Sequence, residues 1–399
     1  MKKRLFFVLP LILLISGSLK AQYNQLLGQD PINAITTAVP FLAIAPDSRG
    51  GSMGDIGVST SPDANAQYWN PAKFPFIEHD LGFSLSYSPW LRQLVDDISL
   101  AYLSGYYKIN KMSVVSASLR YFTLGEIQFT DKVGNDLGTA KPNEFSIDAT
   151  YSRLLGENFS AAVGLRYIRS DLTNGQFVNG AKTESGQSVA ADVAVYYQKD
   201  IELFKTEGVF AFGVNISNIG TKISYSETLE RDFIPTNLRF GPSLTLKLDK
   251  YNTIMVAVDI NKLLVPTPPV YAVDSAGFPI PDGDGWKIEK GMDPNRSVVN
   301  ALYSSFYDAP GGFTEEMHEF YIGSGVEYAY DEKFFIRGGY FYEHATKGNR
   351  KYFTLGAGFK YNVFAIDLSY LIPTTQKNPL EHTLRFTLLF NFMQSSNQQ

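Results

Sequence analysis

The sequence predicts an all-β fold, a transmembrane antiparallel β-barrel of about fourteen strands that follows an irregular N-terminal segment. Three observations support this fold class. Apolar and polar residues alternate with a period of two in many segments, these segments are long for β-strands, and the connections between them alternate between short and long.

The alternation is clearest in residues 113–123 and 143–153. In the first of these, Val115, Leu119 and Tyr121 alternate with serines and an arginine. Such a pattern gives a strand one apolar and one polar face. A secreted β-sandwich would turn the apolar face towards a core, whereas a membrane barrel would turn it towards lipid, so the pattern alone leaves both folds open.

The lengths of the segments favour the barrel. Most are about 9–12 residues long, whereas sandwich strands average about 5–6 residues and tilted membrane strands need about 9–11. The barrel is therefore predicted over residues 81–392, with strands at 81–89, 97–107, 113–123, 143–153, 159–169, 188–198, 208–218, 236–247, 252–262, 318–329, 334–343, 351–361, 363–371 and 382–392.

The connections also follow the barrel pattern, in which short periplasmic turns alternate with long extracellular loops. With an even number of strands, both termini are expected in the periplasm and every long loop outside the cell. A slightly longer turn is expected at Asp200 to Glu207, and a polar tail, 393–399, follows the last strand. The long loops are expected at 124–142, 170–187, 219–235, 263–317, 344–350 and 372–381.

The first residues have the features of a secretory signal peptide. A basic start is followed by an apolar run from Leu5 to Ile15 and by small residues up to Ala21, which predicts cleavage after residue 21. Removal of residues 1–21 takes away Lys2, Lys3, Arg4 and Lys20 and no acid, so the mature chain is more acidic than the formal charge of −5. This charge argues against nucleic acid as a partner.

The charged residues of the strands fall mostly on the polar phase and are therefore expected in the lumen. Acids and bases are mixed, which favours a packed, ion-paired interior over a wide ion channel, with a water-filled pore as the alternative. These residues are Arg120, Asp148, Arg166, Asp192, Arg239, Asp259, Arg337, Asp367 and Arg385.

Residues 22–80 precede the first strand and contain too many prolines and glycines for regular sheet. Residues 33–38 are expected to form a short helix. The apolar Phe41, Leu42, Ile44 and Trp69 favour a position inside the lumen over one in the periplasm.

Within this segment, residues 51–58 (GSMGDIGV) and 63–72 (DANAQYWNPA) resemble the N-terminal signature of the PorV family of type IX secretion. The Asn-Pro-Ala element is similar to the hatch of FadL-type transporters, a related fourteen-strand family. The resemblance implies a FadL-like barrel with an N-terminal hatch that contains a motif formed by Gly54, Asp55, Asp63, Trp69, Asn70 and Pro71.

The resemblance to PorV also implies a non-enzymatic function. Members of that family bind the C-terminal signal domain of exported cargo, lie beside a large translocon barrel, and pass cargo to a cell-surface sortase complex. The alternative is a FadL-like transporter of hydrophobic small molecules such as fatty acids. Such a transporter needs an apolar pocket in the lumen, whereas a cargo shuttle needs apolar surface on its outer loops.

The sequence contains no convincing catalytic, cofactor or metal motif. Cysteine is absent, and the four histidines lack ligand or catalytic spacing. His318, in Glu-Glu-Met-His-Glu, is expected on a solvated helix or strand edge. Asp282 and Asp284 are expected in a plain polar turn, with a structural calcium site as the alternative.

The long connection at 263–317 is the most unusual part of the chain because it is rich in aromatic residues, which disordered segments lack. Residues 297–306 are expected to form a helix capped by Asn295 or Ser297. The loop is expected either to fold inward as a plug or to bind cargo through exposed aromatic anchors. The candidate anchors are Tyr271, Trp286, Phe306 and Tyr307.

Overall fold

The chain forms a closed barrel of fourteen antiparallel strands, which confirms the predicted fold class and strand number. The computed structural model describes residues 32–91, 97–130, 133–134, 136–172, 175, 177–178, 181–225, 231–283, 285–374, 380–381 and 383–393. The predicted signal peptide and all but one residue of the C-terminal tail lie outside the described residues. No helix in the described ranges is long and apolar enough to cross a membrane.

The barrel strands pair in chain order, and the first pairs with the last. They are β1 (Leu81–Pro89), β2 (Ser99–Lys108), β3 (Ser113–Thr123), β4 (Asn143–Gly156), β5 (Phe159–Asp171), β6 (Gly186–Leu203), β7 (Thr206–Gly220), β8 (Asn237–Lys247), β9 (Asn252–Leu263), β10 (Tyr321–Tyr330), β11 (Phe334–Tyr342), β12 (Lys351–Tyr361), β13 (Phe364–Pro373) and β14 (Leu384–Phe392).

Long and short connections occupy opposite ends of the barrel, here called the long-loop end and the short-turn end. The turn predicted at Asp200 to Glu207 is shorter than expected, because β6 and β7 continue until only Phe204 and Lys205 remain between them. Three of the long connections contain short paired strands of their own, and a fourth contains an isolated bridge between Ile223 and Asp232. The paired strands are Ile127–Thr130 with Asp136–Ala140, Phe177–Val178 with Ala181–Lys182, Val270–Tyr271 with Ile288–Lys290, and Pro281–Asp282 with Gly285–Trp286.

The alternation of the strands sorts their side chains between lipid and lumen. In β1, for example, Leu81, Phe83, Leu85 and Tyr87 are exposed on the outside, whereas the serines between them are buried. All nine charged strand residues that were expected in the lumen are buried: Arg120, Asp148, Arg166, Asp192, Arg239, Asp259, Arg337, Asp367 and Arg385.

Residues 33–80, here called the hatch, fill much of the lumen. The backbone N–H of Asn33 donates to Thr346 and that of Ala38 to Phe233, both in long connections, whereas Asp80 donates to Phe392 at the short-turn end. The hatch therefore runs from one end of the barrel to the other. The expectation that both termini lie on the same side concerns residues 1–31 and 394–399, which lie outside the described residues.

The hatch contains only short helical turns, because prolines and glycines interrupt it. These are the 3₁₀ turns Pro40–Ala43 and Pro71–Phe76 and the α-helical turns α1 (Ser48–Gly51) and α2 (Ala66–Trp69). The helix predicted at residues 33–38 is wrong, since this stretch is irregular. Its backbone forms hydrogen bonds with the loops around it instead of with itself.

Two further helices lie in the connection between β9 and β10, here called the long loop (residues 264–320). They are α3 (Val298–Ser304) and α4 (Phe313–His318), and a third 3₁₀ turn, Ala345–Lys347, lies between β11 and β12. Helix α3 confirms the helix predicted over residues 297–306. Ser297 is its N-cap, and the hydroxyl of Ser297 accepts from the backbone N–H of Asn300.

Candidate binding surface at the long-loop end and the hatch beneath it

The hatch is held to the barrel wall through buried polar groups. The side-chain amide of Asn70 donates to the carbonyls of Val58 in the hatch and Val195 in β6, both at 3.0 Å. Its oxygen accepts from the backbone N–H of Ala72 at 3.0 Å and so caps the turn that begins at Pro71. The Pro71 carbonyl in turn accepts from the Ser152 hydroxyl at 2.8 Å. A single asparagine thus joins two parts of the hatch to one strand.

Trp69 packs against the glycines of the hatch and is almost fully buried. Its indole N–H donates to the carboxylate of Asp47 at 2.6 Å. The same carboxylate accepts from the Gly50 N–H and caps α1. Burial raises the pKa of the Asp47 carboxyl to about 6, and the nearby carboxylate of Asp63 adds to this effect.

Gly54 lies where the hatch turn touches the wall. Its φ of +79° suits glycine, and its N–H donates to the Thr354 hydroxyl at 2.8 Å. On the wall side, a Cβ at Gly339 would lie 2.1 Å from the carbonyl carbon of Met53. The hatch turn and the wall strand therefore both need glycine here, because their backbones pack directly against each other. The next residue, Asp55, accepts from the Tyr352 hydroxyl at 2.6 Å and lies 3.3 Å from Arg385.

Asp63 takes part in a chain of ion pairs across the lumen. Arg49 lies 2.9 Å from both Asp63 and Glu327, and Arg337 binds Glu327 at 2.6 Å and also Asp367. The partner of Asp63 is thus within the hatch, and it is Arg49 that reaches the wall. Alternating charges in one chain compensate one another, which is how buried charges are tolerated.

The larger cavity lies between the hatch and the short-turn end and has a volume of about 400 Å³. Arg49, Asp63 and Glu327 line it together with Lys247 and Lys360, which stand near the short turns. Apolar side chains such as Phe76, Met255 and Leu389 line it as well, so the lining mixes charged and apolar groups. A second cavity of about 260 Å³ lies at the long-loop end between the loops before β8 and β10.

The long loop is fixed at its base by a buried cluster, here called the loop clamp (Lys262, Glu315, Glu316, Glu319 and Lys347). The ammonium of Lys262 lies 3.0 Å from Glu316 and 2.5 Å from Glu319. Lys347 lies 2.6 Å from Glu315 and 3.0 Å from Glu319. Lys262 belongs to β9 and Lys347 to the connection between β11 and β12, and the three glutamates share these two lysines. Movement of α4 away from the barrel rim would therefore leave the buried lysines without their partners.

The loop clamp also connects to the hatch. Asn33 donates to Glu315 at 2.9 Å and to the Pro268 carbonyl at 3.1 Å. Although burial opposes it, the hydrogen bonds from Lys347, Gly311 and Asn33 lower the pKa of Glu315. His318, which was expected on a solvated helix or strand edge, is the last residue of α4, is half-buried and stacks on His344 at 3.5 Å, and its neighbours Glu316 and Glu319 are buried.

Three of the four candidate cargo anchors are exposed. Trp286 is 50 %, Phe306 43 % and Tyr307 61 % exposed, whereas Tyr271 is half-buried. These four side chains do not form one cluster in the described part of the loop. Tyr271 and Trp286 belong to the short antiparallel strands of residues 270–290, here called the hairpin. Phe306 and Tyr307 follow α3.

Sequence reasoning missed the loop clamp, although one signal was available. The alternation of β9 places Lys262 on the same phase as the exposed Val256, where a bare charge would face lipid. A lysine in that position requires an acidic partner from another part of the chain. Among the described residues, no group of three or more histidine, aspartate or glutamate side chains is arranged to hold a metal ion. Asp282 is exposed, and Asp284 lies outside the described residues.

Comparison with known families decides the relationship of the chain. The family described as "Type IX secretion system protein PorV" matches residues 28–270, more than half of the sequence. The chain belongs to the PorV family. It is therefore an outer-membrane component of the type IX secretion system. The match ends at Val270, before all four candidate anchors.

Solved structures with a similar fold include outer-membrane transporters. The toluene transporter TodX of Pseudomonas putida has 12 % identity, with 90 % of this chain and 98 % of that chain covered and a TM-score of 0.48. The toluene transporter TbuX of Ralstonia pickettii has 10 % identity, with 88 % of this chain and 98 % of that chain covered and a TM-score of 0.46. A Pseudomonas aeruginosa FadL homologue has 10 % identity, with 87 % of this chain and 98 % of that chain covered and a TM-score of 0.43. No curated protein sequence matches this PorV family member.

Proposed function

We propose that this barrel binds the C-terminal signal domain of exported cargo at the translocon and carries it to the cell-surface sortase complex. The function is non-enzymatic. In this arrangement the long-loop end faces outward, the short-turn end faces the periplasm, and the barrel wall lies in outer-membrane lipid beside the large translocon barrel. Family membership supports the pathway, and the long loop supports the site.

The observation that carries the proposal is a set of exposed aromatic side chains on a loop whose base is held by buried ion pairs. Interfaces take most of their binding energy from a few aromatic anchors. Anchors bind best when they are pre-organised, because less conformational entropy is lost on binding. The loop clamp fixes the base of the loop that carries the exposed Trp286, Phe306 and Tyr307 and the half-buried Tyr271.

The lumen supports a shuttle more than a transporter of hydrophobic molecules. The alternative function needs an apolar pocket inside the barrel, whereas the ion-paired side chains of Arg49, Asp63 and Glu327 stand among the apolar residues of the larger cavity. The hatch also occupies the path from one end of the barrel to the other through hydrogen bonds with the wall.

The hairpin offers a clean test, because its ends lie close together. A Cβ at Gly291 would lie 3.2 Å from the Cα of Pro269, so residues 270–290 can be removed and the chain rejoined with little strain. The loop clamp stays in place in this deletion. We expect the shortened barrel to assemble, as judged by its heat-modifiable migration in electrophoresis, and to lose binding to an immobilised cargo signal domain.

A point variant tests the same surface more finely. Trp286→Ala should weaken cargo binding about 30-fold or more, because truncation of an interface anchor costs about 2 kcal/mol. Phe278→Ala is the matched control, since Phe278 is an exposed aromatic residue in the same hairpin and is not a candidate anchor. Unchanged affinity of both the deletion variant and Trp286→Ala for cargo would exclude the hairpin as the binding site.

A further inference from the structure

Lys262 shows that the base of the long loop covers the outward face of β9 at the rim of the barrel, while Glu315 in the same clamp reaches Asn33 of the hatch. The register pairs Lys262 with Leu238, on the phase of β9 that also carries Val256 and faces outward. The Lys262 side chain is nevertheless fully buried. Glu316 and Glu319 bind its ammonium, and the rings of Phe306 and Phe320 lie 5.7 and 5.2 Å from it. Residues 306–320 therefore cover the outside of β9 at its upper edge.

The height of this cover follows from the position of Lys262 in its strand. The outward positions before it, Ile254, Val256, Val258 and Ile260, form the apolar stripe that faces lipid. Lys262 is the next outward position and lies one residue from the end of β9. The segment that covers it thus stands just beyond the hydrocarbon layer, where the headgroup region of the bilayer begins.

The aromatic girdle of the barrel is interrupted at this place. Membrane barrels carry aromatic side chains where the wall meets the membrane interface. At the long-loop end, the last two outward positions of the flanking strands are Leu238 and Phe240 in β8 and Tyr340 and Tyr342 in β11. In β9 and β10 these positions are held by Ile260, Lys262, Ile322 and Ser324.

The loop that joins these two strands carries the missing aromatic residues on its surface. Tyr303 in α3 is 71 % exposed and Phe313 in α4 is 76 % exposed. Between residues 297 and 317, all of which the structure describes, no exposed side chain is charged. The exposed charges of the long loop lie instead in and around the hairpin, at Asp274, Asp282, Lys287, Glu289, Lys290 and Asp293.

We propose that helices α3 and α4 lie in the headgroup region of the bilayer, with Tyr303 and Phe313 as membrane anchors that complete the girdle over β9 and β10. The occupant of this surface is lipid, because its base covers the outward-facing Lys262, it lacks exposed charge and it stands at interface height. The hairpin, with its charges and the candidate cargo anchors Tyr271 and Trp286, remains in water, whereas Phe306 and Tyr307, which follow α3, then face lipid instead of cargo. This inference does not rest on the proposed function, since cargo binding and lipid contact are measured separately.

The chain contains no cysteine, so single reporters can be introduced without background labelling. Tyr303→Cys and Phe313→Cys would each be labelled with a polarity-sensitive fluorophore, and the full barrel would be placed in phospholipid nanodiscs. Phe278→Cys is the control, because Phe278 is 68 % exposed but lies in the charged hairpin. One set of nanodiscs would contain a lipid with a nitroxide near its headgroup as quencher, and another would receive aqueous iodide.

At positions 303 and 313 we expect strong quenching by the nitroxide lipid and an iodide quenching constant at least about threefold below that at 278, because residues in the interface are shielded from water. Equal iodide quenching at all three positions, without nitroxide quenching at 303 and 313, would overturn the proposal. Protection of 303 and 313 that arises only when another membrane protein is co-purified would also overturn it and would indicate a protein partner.

Discussion

Asn70→Ala is expected to destabilise the barrel although it changes no residue of the wall. Asn70 is fully buried, and its side chain makes three hydrogen bonds of 3.0 Å, with Val58, Val195 and Ala72. Alanine leaves two carbonyl oxygens and one N–H without these partners. It also removes the cap of the turn that begins at Pro71.

The expected loss follows from the number of groups left unpaired. Each buried group that loses its partner costs about 1–3 kcal/mol, so three groups give about 3 kcal/mol even at the low end. Water that enters the space left by the side chain could satisfy part of this demand, which favours the low end. With an unfolding entropy of about 0.8 kcal/mol/K for a chain of this length, the midpoint should fall by about 4 °C.

The assay is thermal unfolding of the purified barrel in detergent, followed by calorimetry or by heat-modifiable migration. Asn65→Ala is the matched control, because Asn65 is an equally buried hatch asparagine whose side-chain atoms have no hydrogen-bond partner in the structure. We expect Asn65→Ala to change the midpoint much less. An unchanged midpoint for Asn70→Ala, or equal shifts for both variants, would refute the idea that these bonds hold the hatch.

Three further predictions concern the loop clamp, the hatch pH response and the orientation. Lys262→Met should raise the hydrogen exchange of α4 amides at least about 150-fold, since breaking a buried ion pair costs about 3–5 kcal/mol; unchanged exchange would contradict the clamp. Asp47, with its pKa raised to about 6, binds its proton more tightly in the folded state, so stability present below about pH 4 is lost as pH rises through 6. Asp47→Asn should abolish this part of the pH dependence in calorimetry. Protease added to intact cells should cut, if anywhere, in 124–142, 170–187, 219–235 or 263–317, whereas cleavage confined to the turns near Asn110 or Lys250 would reverse the topology.

The barrel itself could be predicted from the sequence because its cause is local. A strand in a membrane wall has one face in lipid and one in the lumen, so a period of two is imposed residue by residue. The runs around Tyr121 and Tyr151 show this directly. The same alternation assigned Arg120, Asp148 and Arg385 to the lumen before their partners were known.

The sequence could not predict the path of the hatch or the partners of its charges. Residues 33–38 form no helix because loops distant in sequence satisfy their backbone groups. The carboxylate of Asp259 lies 2.8 Å from the N–H of Gly57, a contact between residues about two hundred positions apart. Such contacts depend on the closed wall, and closure is a property of all fourteen strands together.

The long loop shows the same division between local and distant causes. Its helix α3 and its aromatic content depend only on local sequence, so both could be predicted. The burial of Lys262 by Glu316 and Glu319 could not, because it requires the loop to fold back over the strand from which it leaves. By itself, the sequence determined which residues meet lipid along the strands. Only the tertiary structure decided which loop covers Lys262, because that depends on ion pairs between residues 54 and 57 positions apart in the sequence.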